Sequence, residues 1–165
     1  MKYELKELNM DMGKEEYEMY QDIPSKESGS TNLCNGLSHD IFKNYLESQI
    51  ARKYQNISQY DTLTITYIMY VNSKPVGYIC LRTKIDDNWK KWSGNCYYTI
   101  RMSERKKGYG TKIIMLALDE FRKLNFKEIY LQSSAGNIGS TKAIENNGGI
   151  FLEEVDGSKY YKIKL

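Results

Sequence analysis

The stretch Arg105-Lys106-Lys107-Gly108-Tyr109-Gly110-Thr111 lies between a strand-like run and a helix-like run. Its two glycines let a ligand approach the main chain closely, and the helix that follows leaves its first N–H groups without partners. Helix N-termini also favour negative charge, and three basic residues precede the first glycine. The stretch therefore predicts an anion site, and a phosphate-bearing ligand fits it best.

The segments on either side support that interpretation. Cys96 to Met102 is rich in aromatic and β-branched residues, which favours a strand. Lys112 to Leu124 carries apolar residues at the three-to-four spacing of a buried helical face. Strand, glycine turn and helix follow one another in an order that several kinds of nucleotide site share.

Two of those kinds of site are excluded by single residues. A dinucleotide fingerprint needs a third glycine three positions after the second, where this chain has Ile113. A P-loop needs a Gly-Lys-Ser/Thr ending and an earlier glycine, but Arg105 stands at the earlier position. The pattern that remains is Arg-x-x-Gly-x-Gly.

This pattern, at Arg105, Gly108 and Gly110, resembles the acyl-CoA signature of the GCN5-related N-acetyltransferase (GNAT) superfamily. A second signature of that superfamily is an asparagine after the next strand, followed by a short helix. Asn137 matches it, because it comes after the strand-like run from Ile129 to Ser133. The resemblance covers residues 60 to 155 well and the N-terminal third weakly.

Two further stretches resemble a subgroup of predicted bacterial acetyltransferases that carry an Ile-Glu-x-Asn-Gly-Gly ending. One is Ile144-Glu145-Asn146-Asn147-Gly148-Gly149, and the other is Ile100 to Arg105. The resemblance implies a mixed α/β, GNAT-like fold. Such a fold has a central, mostly antiparallel twisted sheet of about six or seven strands, flanked by about four helices.

The resemblance also implies acetyl-CoA as co-substrate, with no metal. Backbone N–H groups from Lys106 to Thr111 are expected to hold the pyrophosphate, since such donors bind charge without side-chain specificity. Main-chain groups of the preceding strand end are expected to hold the pantetheine arm and polarise the thioester carbonyl. Met102 replaces the proline that is common there. The implied cofactor-binding residues are Ile100, Arg101, Met102, Arg105, Lys106, Lys107, Gly108, Tyr109, Gly110, Thr111, Asn137 and Ser140.

The general acid is not identified by the motifs. Many relatives carry a tyrosine seven residues after the asparagine, and this chain has Ile144 there. Coenzyme A thiol is already fairly acidic, so either no acid is needed or another tyrosine serves. Tyr98 is the catalytic candidate, with packing in the sheet as its structural alternative.

The general base is equally open. Relatives often carry a titratable residue near the start of the fourth strand, where this chain has Asn95. His39, the only histidine, is expected at the surface or as a helix cap. Cys80 and Cys96 are expected to be small core residues, which favours direct transfer in a ternary complex. Four carboxylates of two polar segments remain candidates and could suit a cationic acceptor: Asp22, Glu27, Asp86 and Asp87.

Composition fits one domain spanning residues 1–165. Hydrophobic residues make up 41% and charged residues 27%, which is ordinary for a globular protein and too apolar for a disordered chain. No apolar run approaches the roughly 18 residues of a membrane span, and no secretory signal is visible. Three widely spaced cysteines indicate a reducing cytoplasm. A net charge of +3 without a basic, aromatic-rich stripe argues against a nucleic-acid partner.

The remaining elements follow from periodicity and turn residues. The segment from Thr83 to Gly94 is expected to be a polar connection without secondary structure. The C-terminal hairpin, turning at Asp156-Gly157, could pair with a second copy of the chain. The expected elements are a strand from Tyr3 to Leu8, a helix over about 14 to 21, a loop from Asp22 to Ser38, a helical stripe from Ile41 to Ile50, a hairpin of Leu63–Val71 with Val76–Arg82, and a hairpin of Ile150–Val155 with Lys159–Leu165.

Three classes of function follow. The first is a coenzyme A-dependent N-acetyltransferase acting on a small-molecule or peptide amine. The second is an acyl-CoA-binding sensor or regulatory domain with little transfer activity, which Ile144 favours. The third, a basic nucleic-acid-binding module that uses the Arg105 cluster, has the least support.

Overall fold

The computed structural model describes residues 1–59 and 61–165. The strands within them are β1 (Tyr3–Glu7), β2 (Lys26–Glu27), β3 (Ser30–Thr31), β4 (Thr64–Val71), β5 (Lys74–Arg82), β6 (Cys96–Ile100), β7 (Glu128–Ser134), β8 (Ile150–Val155) and β9 (Ser158–Lys164). The helices are α1 (Lys14–Gln21), α2 (Phe42–Ala51), α3 (Asp87–Trp92), α4 (Tyr109–Lys123) and α5 (Ile138–Glu145). Short 3₁₀ turns span His39–Ile41 and Met102–Glu104.

Seven of the strands form two sheets that share one edge region. The first sheet has the order β1-β4-β5-β6 and the second has the order β7-β9-β8, with every neighbouring pair antiparallel. An isolated bridge between Gly94 and Leu131 joins them just before β6 begins. Strands β2 and β3 form a separate two-residue ladder.

Asn95 holds the two sheets together at that bridge. Its N–H donates to the carbonyl of Tyr130 at 2.6 Å, and its side-chain oxygen accepts from the Tyr130 N–H at 2.8 Å. Its amide nitrogen donates to the carbonyl of Arg82 in β5 at 3.4 Å. Within the described residues, β6 and β7 share no ladder beyond this point, so β6 leaves one backbone edge open.

Both faces of the first sheet are covered, which explains why every residue of β4 is buried. Alternate residues Ile65, Tyr67 and Met69 face a core formed with α4 and α5. Ile68 and Tyr70 face a second core, formed with α1 and α2. Helix α4 contributes the apolar stripe that its spacing predicted, including Ile113, Ile114, Ala117, Leu118 and Phe121.

The expected mixed α/β class is confirmed, with seven strands in the main sheets and five helices within the described residues. Two segments that we expected to be irregular contain regular elements. The loop from Asp22 to Ser38 contains the β2–β3 hairpin. The polar connection after β5 contains α3, whose N-cap Asp86 accepts a hydrogen bond from the Trp89 N–H. Such short elements depend on local side-chain bonds that periodicity does not detect.

Candidate functional site

The glycine turn forms a concave row of donors. Lys106 and Gly108 both have left-handed backbones, with φ of 62° and 78°, and Gly108 is the N-cap of α4. The six consecutive N–H groups from Lys106 to Thr111 have no acceptor in the described part of the chain. Successive N–H groups around left-handed residues form an anion-binding nest, and the helix start adds its partial positive charge.

Charges beside the turn are arranged so that a positive excess remains. The buried carboxylate of Glu104 accepts from Lys107 at 2.7 Å and also from Lys74. These two lysines, Lys107 first, lower the pKa of Glu104. Lys106 is exposed and is not bonded through its side chain to any residue in the two described ranges.

Arg105 turns its side chain away from this row of donors. Its guanidinium donates to both carboxylate oxygens of Glu27, at 2.7 and 2.6 Å, and its Nε donates to the carbonyl of Ile100 at 2.9 Å. The arginine of the sequence motif therefore connects the strand end, the turn and the β2–β3 hairpin. Its positive charge is balanced by Glu27.

Tyr98 lies directly beneath the start of α4. A Cβ added at Gly110 would lie 3.2 Å from the Tyr98 hydroxyl, so only glycine fits there without a shift of the ring. Burial raises the pKa of Tyr98, and a hydrogen bond with Ser140 partly opposes that rise. The hydroxyl of Tyr98 is therefore protonated at neutral pH and lies between the first turns of α4 and α5.

Helix α5 is positioned against this site by two asparagines. Asn137 caps the helix, since its side-chain oxygen accepts from the Ser140 N–H at 3.1 Å. Asn147 donates to the carbonyl of Thr111 at 3.0 Å and to that of Ala143 at 2.8 Å. The two bonds of Asn147 connect the end of α5 to the first turn of α4, a contact that the sequence did not reveal.

The open edge of β6 faces the space between the two sheets. The Arg101 N–H donates to the Val76 carbonyl, and the Arg82 N–H donates to the Asn95 carbonyl. The alternate residues of β6 between Asn95 and Arg101, which are Tyr97 and Thr99, therefore bond β5. Tyr98 and Ile100 occupy the other positions, and their main-chain groups point away from β5. The Ile100 carbonyl accepts from Arg105, so within residues 1–59 and 61–165 the Ile100 N–H and both main-chain groups of Tyr98 have no partner.

The other two residues expected to hold the pantetheine arm have occupied N–H groups. The Arg101 N–H donates to the Val76 carbonyl at 2.9 Å, and the Met102 N–H donates to the Asp22 carbonyl at 3.0 Å. Strand β6 ends at Ile100, two residues earlier than expected, because Met102 begins a 3₁₀ turn. The open groups therefore lie at Tyr98 and Ile100.

The four carboxylates considered as bases are engaged elsewhere. Asp22 accepts from Arg101 at 2.8 Å and from the Ser103 hydroxyl at 2.6 Å. Partial burial alone would raise the pKa of Asp22, but the hydrogen bonds from Ser103 and Arg101 hold this pKa below its ordinary value. Glu27 pairs with Arg105, while Asp86 caps α3 and Asp87 pairs with Lys90. None of the four is among the residues that line the pocket between α2 and the first sheet.

That pocket opens on the face of the sheet opposite α4. It encloses about 40 Å³ and lies between α2, the β2–β3 hairpin and strands β4 to β6. Burial raises the pKa of the phenols that line it, so they stay protonated at neutral pH. The lining residues are Thr31, Leu33, Tyr45, Gln49, Arg52, Thr66, Tyr78, Cys80 and Tyr97.

The groups considered for acid, base or covalent roles are placed as follows. Ile144 is buried and packs against Gly149, so it offers no hydroxyl to the site. His39 is exposed and contacts the rings of Tyr17 and Phe42. Burial raises the pKa of Cys96 to about 12, so its thiol is not ionised at neutral pH.

No cluster of three or more His, Cys, Asp or Glu side chains in the described ranges 1–59 and 61–165 could hold a metal ion. No helix in them is both long and apolar enough to span a bilayer.

Comparisons with known proteins agree with this geometry. A family model described as the acetyltransferase (GNAT) family matches residues 32–148. The likeness to solved structures, at 10% to 18% identity, shows the fold and confirms the GNAT-like fold class expected from the sequence. No curated protein sequence is a significant match.

Three solved structures illustrate that likeness. RimL, a ribosomal L7/L12 alpha-N-protein acetyltransferase in complex with coenzyme A, is 10% identical with a TM-score of 0.70, covering 99% of this chain and 94% of that chain. Campylobacter jejuni N-acetyltransferase PseH in complex with acetyl coenzyme A is 14% identical with a TM-score of 0.59, covering 99% of both chains. AAC(6')-Ib in complex with ribostamycin and coenzyme A is 18% identical with a TM-score of 0.67, covering 99% of this chain and 94% of that chain.

Proposed function

The chain belongs to the acetyltransferase (GNAT) family, and we propose that it moves an acetyl group from acetyl-CoA to a primary amine of its acceptor. The observation that carries this proposal is the row of six free N–H groups from Lys106 to Thr111. Such a row binds a diphosphate through the main chain, with Lys106 adding a free positive charge. Solved neighbours with the same fold are complexes with coenzyme A or acetyl coenzyme A, which supports the same choice here.

The open edge of β6 suits the rest of the cofactor. An amide-bearing arm can pair with the Tyr98 main chain and the Ile100 N–H as a neighbouring strand would. The α5 start, with Asn137 and Ser140, borders the same space through the contact of Ser140 with Tyr98. In this arrangement Arg105 is a positioning residue, because its bond to Ile100 holds the turn against the end of β6 and its bonds to Glu27 hold the β2–β3 hairpin.

Acetyl-CoA supplies an acetyl thioester, and the acceptor amine attacks it directly. The acceptor nitrogen bonds to the acetyl carbon as the carbon–sulfur bond breaks. Of the two protons that the ammonium group loses, one goes to the thiolate and one to solvent. A main-chain N–H of the β6 edge aimed at the carbonyl oxygen would stabilise its developing charge, which is worth about 3 kcal/mol in comparable sites. The raised pKa of the Cys96 thiol supports direct transfer over a covalent acetyl-cysteine.

Binding of acetyl-CoA, measured by calorimetry, tests the proposal. Gly108→Val puts a side chain in front of the donor row, at a position where a Cβ meets open space but φ is +78°. Gly157→Val is the matched control, since it has φ of +75° and open space in the β8–β9 turn. We expect the first variant to weaken binding by more than about a hundredfold and the second to bind normally.

Both variants carry the same backbone strain, so equal circular dichroism spectra and similar melting temperatures show that the fold is retained. Normal binding of acetyl-CoA by Gly108→Val, or no binding by the native chain, overturns the assignment of the turn.

A second candidate function is an acyl-CoA sensor with little transfer activity. It is favoured by buried Ile144, which stands where many relatives carry a tyrosine hydroxyl. Release of free thiol from acetyl-CoA in the presence of an amine panel separates the two. Binding without release for every amine supports the sensor, and release that depends on an amine supports the enzyme.

We also propose that the chain belongs to the subgroup with the Ile-Glu-x-Asn-Gly-Gly ending. In this chain the ending has a physical function at the cofactor site. Asn147 bonds the first turn of α4, and Gly148 adopts the left-handed backbone, with φ of 83°, that stops α5. A Cβ at Gly149 would lie 2.6 Å from the side chain of Ile144, so the last glycine permits close packing.

The remaining proposals concern organisation and location. We propose that residues 1–165 act as one domain in a bacterial cytoplasm, with an amine acceptor and no nucleic acid or membrane partner.

We further propose a homodimer through β8, an edge strand on which every residue is exposed. Its apolar members Phe151 and Leu152 are 53% and 46% exposed, and antiparallel pairing of two β8 edges would cover them. Light scattering on Leu152→Lys and native chains tests the dimer.

A further inference from the structure

The pocket lined by Tyr45, Tyr78 and Tyr97, which we take as the acceptor pocket, has an unbalanced positive charge beside it. Arg82 is 8% exposed and lies between two aromatic rings, with its guanidinium carbon 4.9 Å from the ring of Trp89 and 4.8 Å from that of Tyr97. Its Nη1 donates to the carbonyls of Ser93 and Gly94. No carboxylate within the described ranges pairs with it.

Two nitrogens of this guanidinium remain available. Within the described ranges, the side-chain hydrogen bonds of Arg82 use Nη1 alone. Within residues 1–59 and 61–165, the one buried side-chain nitrogen or oxygen without a partner is the Tyr20 hydroxyl. The Nε and Nη2 atoms of Arg82 are therefore in contact with solvent. A buried arginine usually has an anionic partner, because an unpaired charge in a protein interior is costly.

The neighbouring charges do not balance Arg82. Arg52, which lines the pocket, is paired with Asp61 at 2.8 Å, and both side chains are nearly buried. Arg52 also reaches the Thr64 hydroxyl at 3.5 Å, and Thr64 is directly opposite Arg82 in the β4–β5 ladder. Two guanidinium groups thus lie on this face, and the one carboxylate near them, Asp61, pairs with Arg52.

The lining of the pocket excludes other sources of negative charge. Its phenols from Tyr45, Tyr78 and Tyr97 are protonated, and no Asp or Glu is among the lining residues. Tyr97 is also the residue before Tyr98, whose main chain faces the cofactor cleft. An acceptor in the pocket would thus lie next to the β6 edge on one side. On its other side it would be next to Arg82, which lies against the Tyr97 ring.

We propose that the acceptor is a small amine that also carries a carboxylate, and that Arg82 binds this carboxylate while the tyrosine rings pack against its apolar part. The proposal rests on the proposed acetyltransferase function and names its substrate class. The pocket encloses only about 40 Å³ and is otherwise open to solvent, so an acceptor of this kind would be held partly inside it and partly at its mouth. A polycationic acceptor is disfavoured, because it would bring further positive charge to Arg82.

The test compares three kinds of amine with the native chain and acetyl-CoA. The probes are L-phenylalanine, L-phenylalaninamide and spermidine, and the readout is kcat/KM from thiol release. We expect the carboxylate to exceed the amide by at least about tenfold, the usual size of a hydrogen-bonded charge contact. Equal or better use of the amide, or preferred use of spermidine, overturns the proposal.

Variants of Arg82 assign the preference to that side chain. Arg82→Gln should remove the preference for the carboxylate while the dissociation constant of acetyl-CoA stays unchanged, and Arg82→Lys should retain part of it. Arg122→Gln is the control, since it removes an exposed guanidinium that pairs with Asp119 on α4. A preference that survives in Arg82→Gln overturns the proposal.

A binding measurement keeps the proposal testable if Arg82→Gln does not fold. In the native chain with saturating coenzyme A, 3-phenylpropionate should bind at least about tenfold more tightly than 3-phenylpropionamide. Equal binding, or no binding of either, overturns the proposal. Failure of the acetyltransferase function looks different, because acetyl-CoA then does not bind or no amine of any charge releases thiol.

Discussion

The Arg105 guanidinium bonds both carboxylate oxygens of Glu27, a residue 78 positions earlier in the chain, at 2.7 and 2.6 Å. The same side chain donates to the carbonyl of Ile100 at the end of β6. The β2–β3 hairpin, which places Thr31 at the acceptor pocket, is therefore anchored to the turn that we propose for the diphosphate. The cofactor site and the acceptor site that we propose would therefore both depend on Arg105.

Loss of this ion pair should affect the acceptor more than the cofactor. In Glu27→Gln the hairpin loses its charged anchor, so we expect the KM of the acceptor to rise severalfold while acetyl-CoA affinity changes little. A partly exposed pair contributes about 1 kcal/mol at most, so the melting temperature should fall by no more than about 2–4 °C. Steady-state kinetics, calorimetry and thermal melting measure the three quantities.

Asp119→Asn is the matched control for Glu27→Gln, because it removes one carboxylate of an exposed ion pair with Arg122. Its kinetics should equal those of the native chain. If Glu27→Gln instead weakens acetyl-CoA binding and leaves the KM of the acceptor unchanged, the hairpin does not serve the acceptor side.

Tyr98→Phe distinguishes an acid from a packing residue. The Tyr98 hydroxyl lies against Gly110 and contacts Ser140, at the end of the cleft where we place the diphosphate. We therefore expect the variant to weaken acetyl-CoA binding by a few fold and to change kcat by less than about tenfold. A fall in kcat of about a hundredfold or more, with binding intact, would instead assign the hydroxyl as the general acid.

The pH dependence of kcat/KM should follow the acceptor itself. The residues that line the pocket include no histidine or carboxylate, and burial raises the pKa of Tyr97, Tyr78 and Tyr45. These phenols stay neutral as the pH rises, so they neither accept the ammonium proton nor lower activity by ionising. We expect log kcat/KM to rise with unit slope until the pKa of the acceptor amine, about 8 to 10.

Two acceptors with different amine pKa values check this expectation. The plateau should move with the acceptor amine, since the free amine is then the reactive species at every pH. A plateau near pH 7 that is the same for both acceptors would reveal a base on the protein.

The sequence predicted the parts of the site that depend on neighbouring residues. Two glycines and a helix start fix the backbone around Gly108 locally, so a short motif is enough to locate the donor row. Asn137 was also open to prediction, because a helix cap bonds an N–H only three positions away. The hairpin at Asp156-Gly157 follows from turn chemistry in the same way.

The parts that escaped prediction depend on contacts between distant segments. From the sequence, Asn95 is only a position that lacks a base, yet it joins the sheets through Tyr130, 35 positions later. The open edge of β6 follows from that junction. The positive charge at and beside the pocket likewise depends on Arg52 and Arg82 coming together from a helix end and a strand. The sequence shows that polar residues such as Asp22 are present, but it does not show which residues they bond.

Direct transfer predicts the form of the kinetics. Varying acetyl-CoA against an accepted amine should give initial-rate lines that intersect, because both substrates are bound before the acetyl group moves. The physical reason is that burial raises the pKa of Cys96 to about 12, which leaves almost no thiolate to attack the thioester at neutral pH. Cys96→Ala should keep kcat within about threefold of the native value.

Mass spectrometry after incubation with acetyl-CoA alone gives the independent check. Peptides that contain Cys96 or Cys80 should carry no acetyl group, since both thiols are buried and Cys80 contacts the Thr66 hydroxyl at 3.4 Å. Parallel initial-rate lines together with an acetylated cysteine peptide would establish a covalent intermediate. In that case the acceptor would attack an acetyl-enzyme, and the row of donors at Lys106 to Thr111 would retain only its part in binding the cofactor.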